Sequence, residues 1–199
     1  MRTENKHKKI IAAAIKVFAK KGFFNARISD IAKEAKVADG TIYLYFNNKN
    51  SILLTILEEE FGKIVEKTST LIAKEDDPAA MLHIFIEQHL RAMKKNKNLA
   101  EVLHTERRQT GKMSKDFRAE KFSEYEDLLT DIISKGKKME VFSQNLNVDI
   151  IRRIIFGALE ELSRVWNDSL ETHYSVEELS SQLLATVFTG IQAPLAPKF

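Results

Sequence analysis

The chain has 199 residues, of which 44% are hydrophobic and 30% are charged, and its formal net charge is +3. This length fits one medium domain or a small domain joined to a larger one, and the absence of cysteine excludes disulfides, thiolate metal sites and a cysteine nucleophile. No apolar run is long enough for a transmembrane helix, and the basic start lacks a signal-peptide core, so we expect a cytoplasmic protein without a membrane partner.

Positive charge is concentrated in the first quarter of the chain. Residues 1–51 contain eleven Lys and Arg against four Asp and Glu, whereas the rest of the chain carries twenty basic and twenty-four acidic side chains. A basic segment joined to a mildly acidic remainder indicates two tasks, the first of them directed at an anionic partner. On charge alone, a solvated basic face without a partner remains the alternative.

Apolar residues recur at helical spacing through most of the chain, and no segment alternates in the way that demands a strand. Capping residues mark several helix starts, and Gly22 and Gly136 mark two predicted ends. The predicted caps are Asn48, Asp77 before Pro78, Ser114, Asn147 and the Ser175–Glu178 capping box. We therefore predict an all-α fold of about nine helices, over residues 10–21, 28–35, 39–46, 49–73, 78–94, 99–109, 114–136, 148–167 and 176–190.

The most informative stretch is ISDIAKEAKVADGTIYLYFNNK, residues 28–49. Its small apolar residues allow two short helices to cross closely, and Thr41, Tyr43 and Tyr45 place hydroxyl groups near an outer face, where they suit phosphate oxygens and base edges. Gly40 permits close approach of the backbone, and Lys49 lies beside the next helix start, where a cation favours phosphate. The pattern predicts a helix-turn-helix that reads duplex DNA; a plain helical hairpin in a core would be poorly filled by these residues.

Three pieces of the sequence resemble, in order, the DNA-binding domain of TetR-type bacterial regulators: IIAAAIKVFAKKGF (10–23), SDIAKEAKV (29–37) and GTIYLYFNNKNSIL (40–53). The resemblance implies a helix-turn-helix domain over residues 1–50, a recognition helix from Asp39 to Tyr45, and an effector-binding and dimerisation domain over residues 51–199. It implies DNA contacts from Arg27, Ser29, Lys36, Asp39, Gly40, Thr41, Tyr43, Tyr45 and Lys49.

The chain departs from this family pattern at two positions. Arg27 stands where the family often has Thr at the start of the second helix, and Lys36 stands where it usually has Gly in the turn. A residue other than glycine that is forced to positive φ costs on the order of 1 kcal/mol or more. Lys36 can compensate by reaching a phosphate, or the turn can differ.

Within this family the sequence is most similar to FadR-type members, through VADGTIYLYF (37–46), ERRQ (106–109) and IIFGALEELSRVW (154–166). Such proteins repress fatty-acid degradation genes and release DNA on binding long-chain acyl-CoA, so the resemblance implies the same for this chain. An apolar tunnel with cations at its mouth would hold that effector, although ordinary helix-bundle core and solvated surface remain alternatives. The predicted effector residues are Phe61, Val65, Phe85, Leu103, Arg107, Arg108, Arg118, Phe122, Tyr125, Phe156, Leu159 and Trp166.

The last two predicted helices have apolar stripes that favour a homodimer through a four-helix interface. The stripes contain Ile151, Ile154, Ala158, Leu162, Leu183, Val187 and Phe188. A two-fold dimer would contact two half-sites of a near-palindromic operator, about 34–36 Å apart or a multiple of that distance.

Three other functions compete with this interpretation. An enzyme is disfavoured because no catalytic motif, cofactor motif or metal site is evident; Glu101-Val-Leu-His104 is half of a di-iron signature without a second copy. The others are an architectural DNA-binding protein without effector and a TetR-type repressor that senses a different drug or lipid. We therefore predict no catalytic residue, metal or cofactor.

Overall fold

The computed structural model describes residues 2–102, 119–164, 166 and 174–191, and all of the regular elements within these ranges are α-helices. They are α1 (Arg2–Lys21), α2 (Ile28–Ala35), α3 (Asp39–Tyr43), α4 (Lys49–Ile72), α5 (Pro78–Lys95), α6 (Glu120–Lys138), α7 (Val148–Arg164) and α8 (Val176–Ile191). Residues 97–102 are also helical. The predicted all-α fold is confirmed.

The predicted caps that fall within the described ranges are confirmed. The side chains of Asn48, Asp77 and Asn147 accept hydrogen bonds from backbone N–H groups two or three residues further on, at 2.8–3.3 Å. Ser175 and Glu178 exchange reciprocal bonds of 2.8 and 3.0 Å. Each cap satisfies donors that the first turn of a helix leaves unpaired. The predicted cap Ser114 lies outside the described residues.

Helix ends differ from the predictions at several places. α1 begins at Arg2 rather than near residue 10, and the predicted end of α7 near residue 167 lies outside the described residues, which contain this helix as far as Arg164. α6 does not stop at Gly136 but continues to Lys138. Glycine is needed there for packing, because a Cβ at this position would overlap the ring of Phe142, which is 0% exposed. The glycine was therefore misinterpreted as a stop signal.

The described residues fall into two compact units. One is drawn from Met1–Gly62 and Asn96–Phe122, the other from Lys63–Lys95 and Ser123–Phe199. The first unit buries apolar residues of α1, α2 and α3. In the second, α5 packs against α7 and α8. α4 contributes residues to both units, and the predicted domain boundary between residues 50 and 51 stays a prediction.

None of the described helices combines the length and the apolar content that crossing a bilayer requires.

Candidate functional site

The turn after α2 is closed by a residue in the left-handed conformation. Lys36 has φ 56° and ψ 48°, and its N–H and that of Val37 donate to the carbonyls of Lys33 and Ala32. This pair of bonds is the Schellman ending, in which glycine is usual because it has no Cβ. The tight turn of a helix-turn-helix is therefore present, although lysine occupies the strained position.

The start of α2 is fixed without a side-chain cap from Arg27. Instead the carboxylate of Asp30 accepts a hydrogen bond from the backbone N–H of Arg27 at 3.0 Å and one from the ammonium of Lys21 at 2.6 Å. The hydrogen bond from Lys21, followed by the one from Arg27, lowers the pKa of Asp30. The guanidinium of Arg27 takes no part in this cap, so the helix start does not depend on a threonine there.

The recognition segment, residues 39–46, is anchored by two buried residues and exposes the side chains between them. Ile42 is 0% exposed and Phe46 5%, whereas Tyr43 is 58% and Leu44 81% exposed. A Cβ added at Gly40 would meet no atom within 4 Å. The helical part ends at Tyr43, two residues before the end implied by the resemblance and three before the end of the predicted helix 39–46. The N–H groups of Leu44 and Tyr45 bond three residues back and tighten the last turn.

Lys49, at the start of α4, closes the loop between α1 and α2. Its ammonium donates to the carbonyls of Phe23, Phe24 and Ala26 at 2.6, 3.0 and 2.8 Å, and it lies 4.6 Å from the centroid of the Phe23 ring. We call this set of contacts the Lys49 clasp. Three carbonyls use the three donors of an ammonium group, so Lys49 has a positioning role in this structure, and the predicted hydrogen bond to phosphate would have to replace one of these bonds.

A second contact that the sequence did not predict connects α1 to α4. His7 Nε2 lies 2.6 Å from a carboxylate oxygen of Glu59, and its ring centroid lies 5.3 Å from that of Phe46. His7 and Glu59 are 52 positions apart, so no local sequence pattern predicts their contact. The N-terminal extension of α1 places His7 beside the end of the recognition segment.

The predicted DNA contacts all retain solvent access in the free protein. Six residues are exposed, namely Arg27, Ser29, Lys36, Asp39, Gly40 and Tyr43. Three are half-buried, namely Thr41, Tyr45 and Lys49. They lie on α2, on α3, in the flanking turns and, for Lys49, at the start of α4. Leu44, the most exposed large apolar side chain among the described residues, was missed because an apolar residue between two tyrosines resembles core.

Aromatic residues predicted to line an effector site form a cluster in the second unit. The ring of Phe85 stacks on that of Tyr125 with centroids 4.8 Å apart, and Phe156 lies edge-on to both at 5.9 and 5.7 Å. His89 Nδ1 lies 2.9 Å from the hydroxyl of Tyr125, and burial raises the pKa of that hydroxyl. Leu159 is 0% exposed, which is consistent with either core or pocket lining.

Other members of the predicted effector set are more scattered. Trp166 is 4% exposed and its indole N–H donates to the carbonyl of Tyr174 at 3.1 Å, whereas Val65 is half-buried. Phe61 and Phe122 meet edge-on in the first unit, with centroids 4.8 Å apart. Leu103, Arg107, Arg108 and Arg118 lie outside the described residues.

Two polar side-chain atoms are buried without a partner in the second unit. The hydroxyl of Thr68 and the amide oxygen of Gln88 are buried and have no hydrogen-bond partner among the described residues. Buried polar atoms are nearly always hydrogen-bonded in folded proteins. These two atoms are therefore exceptions to the usual pattern.

The predicted dimer residues differ in exposure. Ile154 is 55% exposed, as is its neighbour Ile150, and Ile151, Ala158 and Leu162 are half-buried. On α8, Val187 and Phe188 are half-buried, whereas Leu183 is 8% exposed within the single chain. Of the predicted dimer residues, Ile154 on α7 is thus the one that is exposed rather than half-buried or buried.

No group of three or more His, Cys, Asp or Glu side chains within the described ranges is arranged to hold a metal ion. Glu101 of the half di-iron signature is helical, and His104 lies outside those ranges.

Comparisons with known proteins cover nearly the whole chain. Residues 10–56 match the model of bacterial regulatory proteins, tetR family, and residues 57–190 match that of YsiA-like protein, C-terminal region. The fatty acid metabolism regulator protein of Bacillus subtilis is 33% identical over 94% of this chain and 95% of its own length.

Two solved structures are similar in both fold and sequence. The fatty acid degradation regulator FadR from Bacillus halodurans has a TM-score of 0.81 and 32% identity, over 95% of this chain and 97% of that one. The transcriptional regulator FadR from Bacillus subtilis, in complex with stearoyl-CoA, has a TM-score of 0.79 and 31% identity, over 93% and 99%.

Proposed function

Because the chain belongs to the tetR family of bacterial regulatory proteins, we propose that it represses fatty-acid degradation genes and leaves its operator when it binds long-chain acyl-CoA. The observation that carries the proposal is the likeness over nearly the full length to FadR of Bacillus subtilis, which was solved with stearoyl-CoA. Members of this family regulate transcription rather than catalyse reactions. A regulator of chromosomal genes acts in the cytoplasm.

Operator binding is supported by the exposed hydroxyl groups and cations around α2 and α3. The segment that contains them has a positive net charge, since residues 1–51 carry eleven Lys and Arg against four Asp and Glu. Contacts of this kind release counterions from DNA, so the logarithm of the binding constant falls steeply with the logarithm of salt concentration.

Acyl-CoA binding is supported by the aromatic and aliphatic interior of the second unit. Phe85, Tyr125 and Phe156 offer the apolar surface that a long acyl chain requires. The phosphates of CoA need cations, and we assign these to Arg107, Arg108 and Arg118, with Arg108 as the principal ligand contact.

Coupling between effector and operator is supported by the continuity of α4, which runs from Lys49 to Ile72. Within the first unit, the carboxylate of Glu58 on this helix accepts hydrogen bonds from the backbone N–H groups of Glu120 and Lys121, at the start of α6. A shift of α6 on effector binding would therefore be transmitted to α4 through a charged cap. Effector and DNA then compete through two states with different affinities.

A two-fold dimer is supported by the open apolar surface of α7, where Ile150 and Ile154 are each 55% exposed. The dimer would contact both halves of a near-palindromic operator. Light scattering should give twice the mass of the chain, and Ile154→Asp should shift the mass towards that of one chain. A single-chain mass for the unmodified protein would contradict the proposed dimer.

The function is tested with a DNA fragment from beside the chain's own gene and with acyl-CoAs of graded chain length. We expect the protein to retain the fragment in a mobility-shift assay, and we expect its melting temperature to rise with acyl chain length, because a ligand of the folded state stabilises it. Stabilisation by another lipid or a drug, with no response to any acyl-CoA, would replace the proposed effector. No response to any hydrophobic ligand would indicate an architectural protein.

A further inference from the structure

Leu44 stands out because of its position as well as its exposure. Its side chain is 81% exposed, and exposed apolar residues that lie singly on a surface are common and need no explanation. Leu44, however, follows directly on α3, between Tyr43 and Tyr45, within the segment that the tetR family model matches. Its exposure therefore falls at the centre of the predicted DNA contacts.

The backbone around Leu44 determines which way this residue faces. The buried residues Ile42 and Phe46 face the interior of the first unit, and Leu44 continues the helical path with φ −73° and ψ −18°. Gly40 lies four residues earlier, hence on the same face, and nothing occupies the space above it. Long side chains on helices lean towards the N-terminus. Leu44 therefore leans towards Gly40, whose backbone is not covered by a side chain.

The chemistry of a leucine side chain limits what this surface can contact on DNA. It has no hydrogen-bond donor or acceptor, so it cannot bond phosphate oxygens or the polar edges of bases. The one apolar group that a base pair presents in the major groove is the C5-methyl group of thymine. Hydroxyl groups of Thr41 and Tyr43, on the same segment, can bond the polar atoms beside such a methyl group.

We propose that Leu44 is a specificity-determining residue that contacts a thymine methyl group in each operator half-site. The inference rests on the proposed operator binding and goes beyond it, because it names the base feature that the segment reads. Substitution at Leu44 then relaxes sequence preference at one base pair per half-site while phosphate contacts are kept.

The test uses an operator duplex taken from the region that the protein protects against nuclease beside its own gene. Each thymine is replaced in turn by deoxyuridine, which lacks only the methyl group, and dissociation constants are measured by fluorescence anisotropy. We expect one position per half-site at which the replacement weakens binding of the unmodified protein by about fourfold, the effect of one buried methyl group. Leu44→Ala should bind both duplexes equally at that position, and Leu44→Met, which is still apolar, should keep the discrimination.

Two controls make the outcome decisive. Met139→Ala removes another large apolar side chain, 49% exposed and located in the second unit, and should keep the full preference for thymine. The circular dichroism of Leu44→Ala should be unchanged, since the side chain is almost fully exposed. Equal affinity of the unmodified protein for every substituted duplex, or a preference for thymine that survives in Leu44→Ala, would overturn the inference alone. Failure of the unmodified protein to bind any fragment would remove the proposed operator binding as well.

Discussion

Different kinds of contact stabilise the interiors of the two units of the molecule. In the first, helices of eight and five residues carry five of the nine predicted DNA contacts, and polar side chains that bond the backbone, above all Lys49, fix the turns around them. In the second, longer helices pack through aromatic side chains, and the rings of Phe85 and Phe156 contact that of Tyr125. A unit that is fixed through its backbone keeps its outer side chains exposed, whereas in the second unit the rings that we propose as effector lining are also buried members of the core.

The largest effect is expected at Gly136, where the second unit leaves no room for a Cβ. Gly136→Ala would drive a methyl group into the Phe142 ring, and overpacking of a core costs about 1–3 kcal/mol. We expect the free energy of unfolding to fall by about 3 kcal/mol in chemical denaturation of the full chain. Gly62→Ala is the control, because its Cβ would lie at an ordinary 3.7 Å from the Lys121 side chain. Unfolding of Gly136→Ala at the midpoint of the unmodified chain would show that the close approach does not matter.

The Lys49 clasp tests whether the first unit depends on backbone-directed contacts. Lys49→Met keeps the length of the side chain but leaves the three carbonyls without their charged donor, and we expect a loss of about 2–3 kcal/mol in the free energy of unfolding together with weaker operator binding. Lys33→Met removes an exposed charge from α2 and should leave stability unchanged. If Lys49 served only as a phosphate contact, Lys49→Met would keep full stability and reduce the salt slope of DNA binding by about one.

Glu58 tests whether the two tasks of the chain communicate through α4. Glu58→Gln weakens the cap on Glu120 and Lys121 because a neutral amide interacts less strongly with the positive end of a helix. We expect the unliganded operator affinity to stay within about twofold, and the ratio of affinities without and with stearoyl-CoA to fall severalfold, within the usual coupling of about 5–150-fold. Glu66→Gln, on the same helix and exposed, is the matched control. An unchanged ratio in Glu58→Gln would exclude this route.

The smallest effect is expected at Lys36, where backbone strain and DNA contact act in opposite directions. Lys36→Gly relieves a non-glycine residue at φ 56° and should raise the free energy of unfolding by about 1 kcal/mol or less. The same change removes a predicted phosphate contact, so operator binding should weaken by a few-fold and its salt slope should decrease. A variant that is both more stable and equally tight on DNA would show that the lysine has no role at the interface.

The features that could be predicted from the sequence are those that depend on a few neighbouring residues, namely helix caps and turns. Asn48, Asp77 and Asn147 bond the backbone two or three positions away, and each could be identified as a cap from the sequence alone. The turn between α2 and α3 was likewise predictable, because its spacing and its residue types are local.

Contacts between distant positions could not be predicted in this way. The partners of Lys49 lie 23–26 positions earlier in the chain, and Glu59 lies 52 positions after His7. Gly136 had two local interpretations, a helix end or a close contact, and only the position of Phe142 distinguishes them. The effector set was the least predictable, since aromatic residues at helical spacing occur in any helix-bundle core.

The central claim is that acyl-CoA lowers the affinity of this chain for its operator DNA, and one titration tests it most directly. The dissociation constant for the protected operator duplex is measured by fluorescence anisotropy at fixed salt, without ligand and with saturating stearoyl-CoA, and free CoA serves as the control. We predict that stearoyl-CoA raises the constant by about 5–150-fold and that free CoA changes it by less than about twofold. An operator affinity that stays the same while calorimetry shows that stearoyl-CoA is bound would contradict the account.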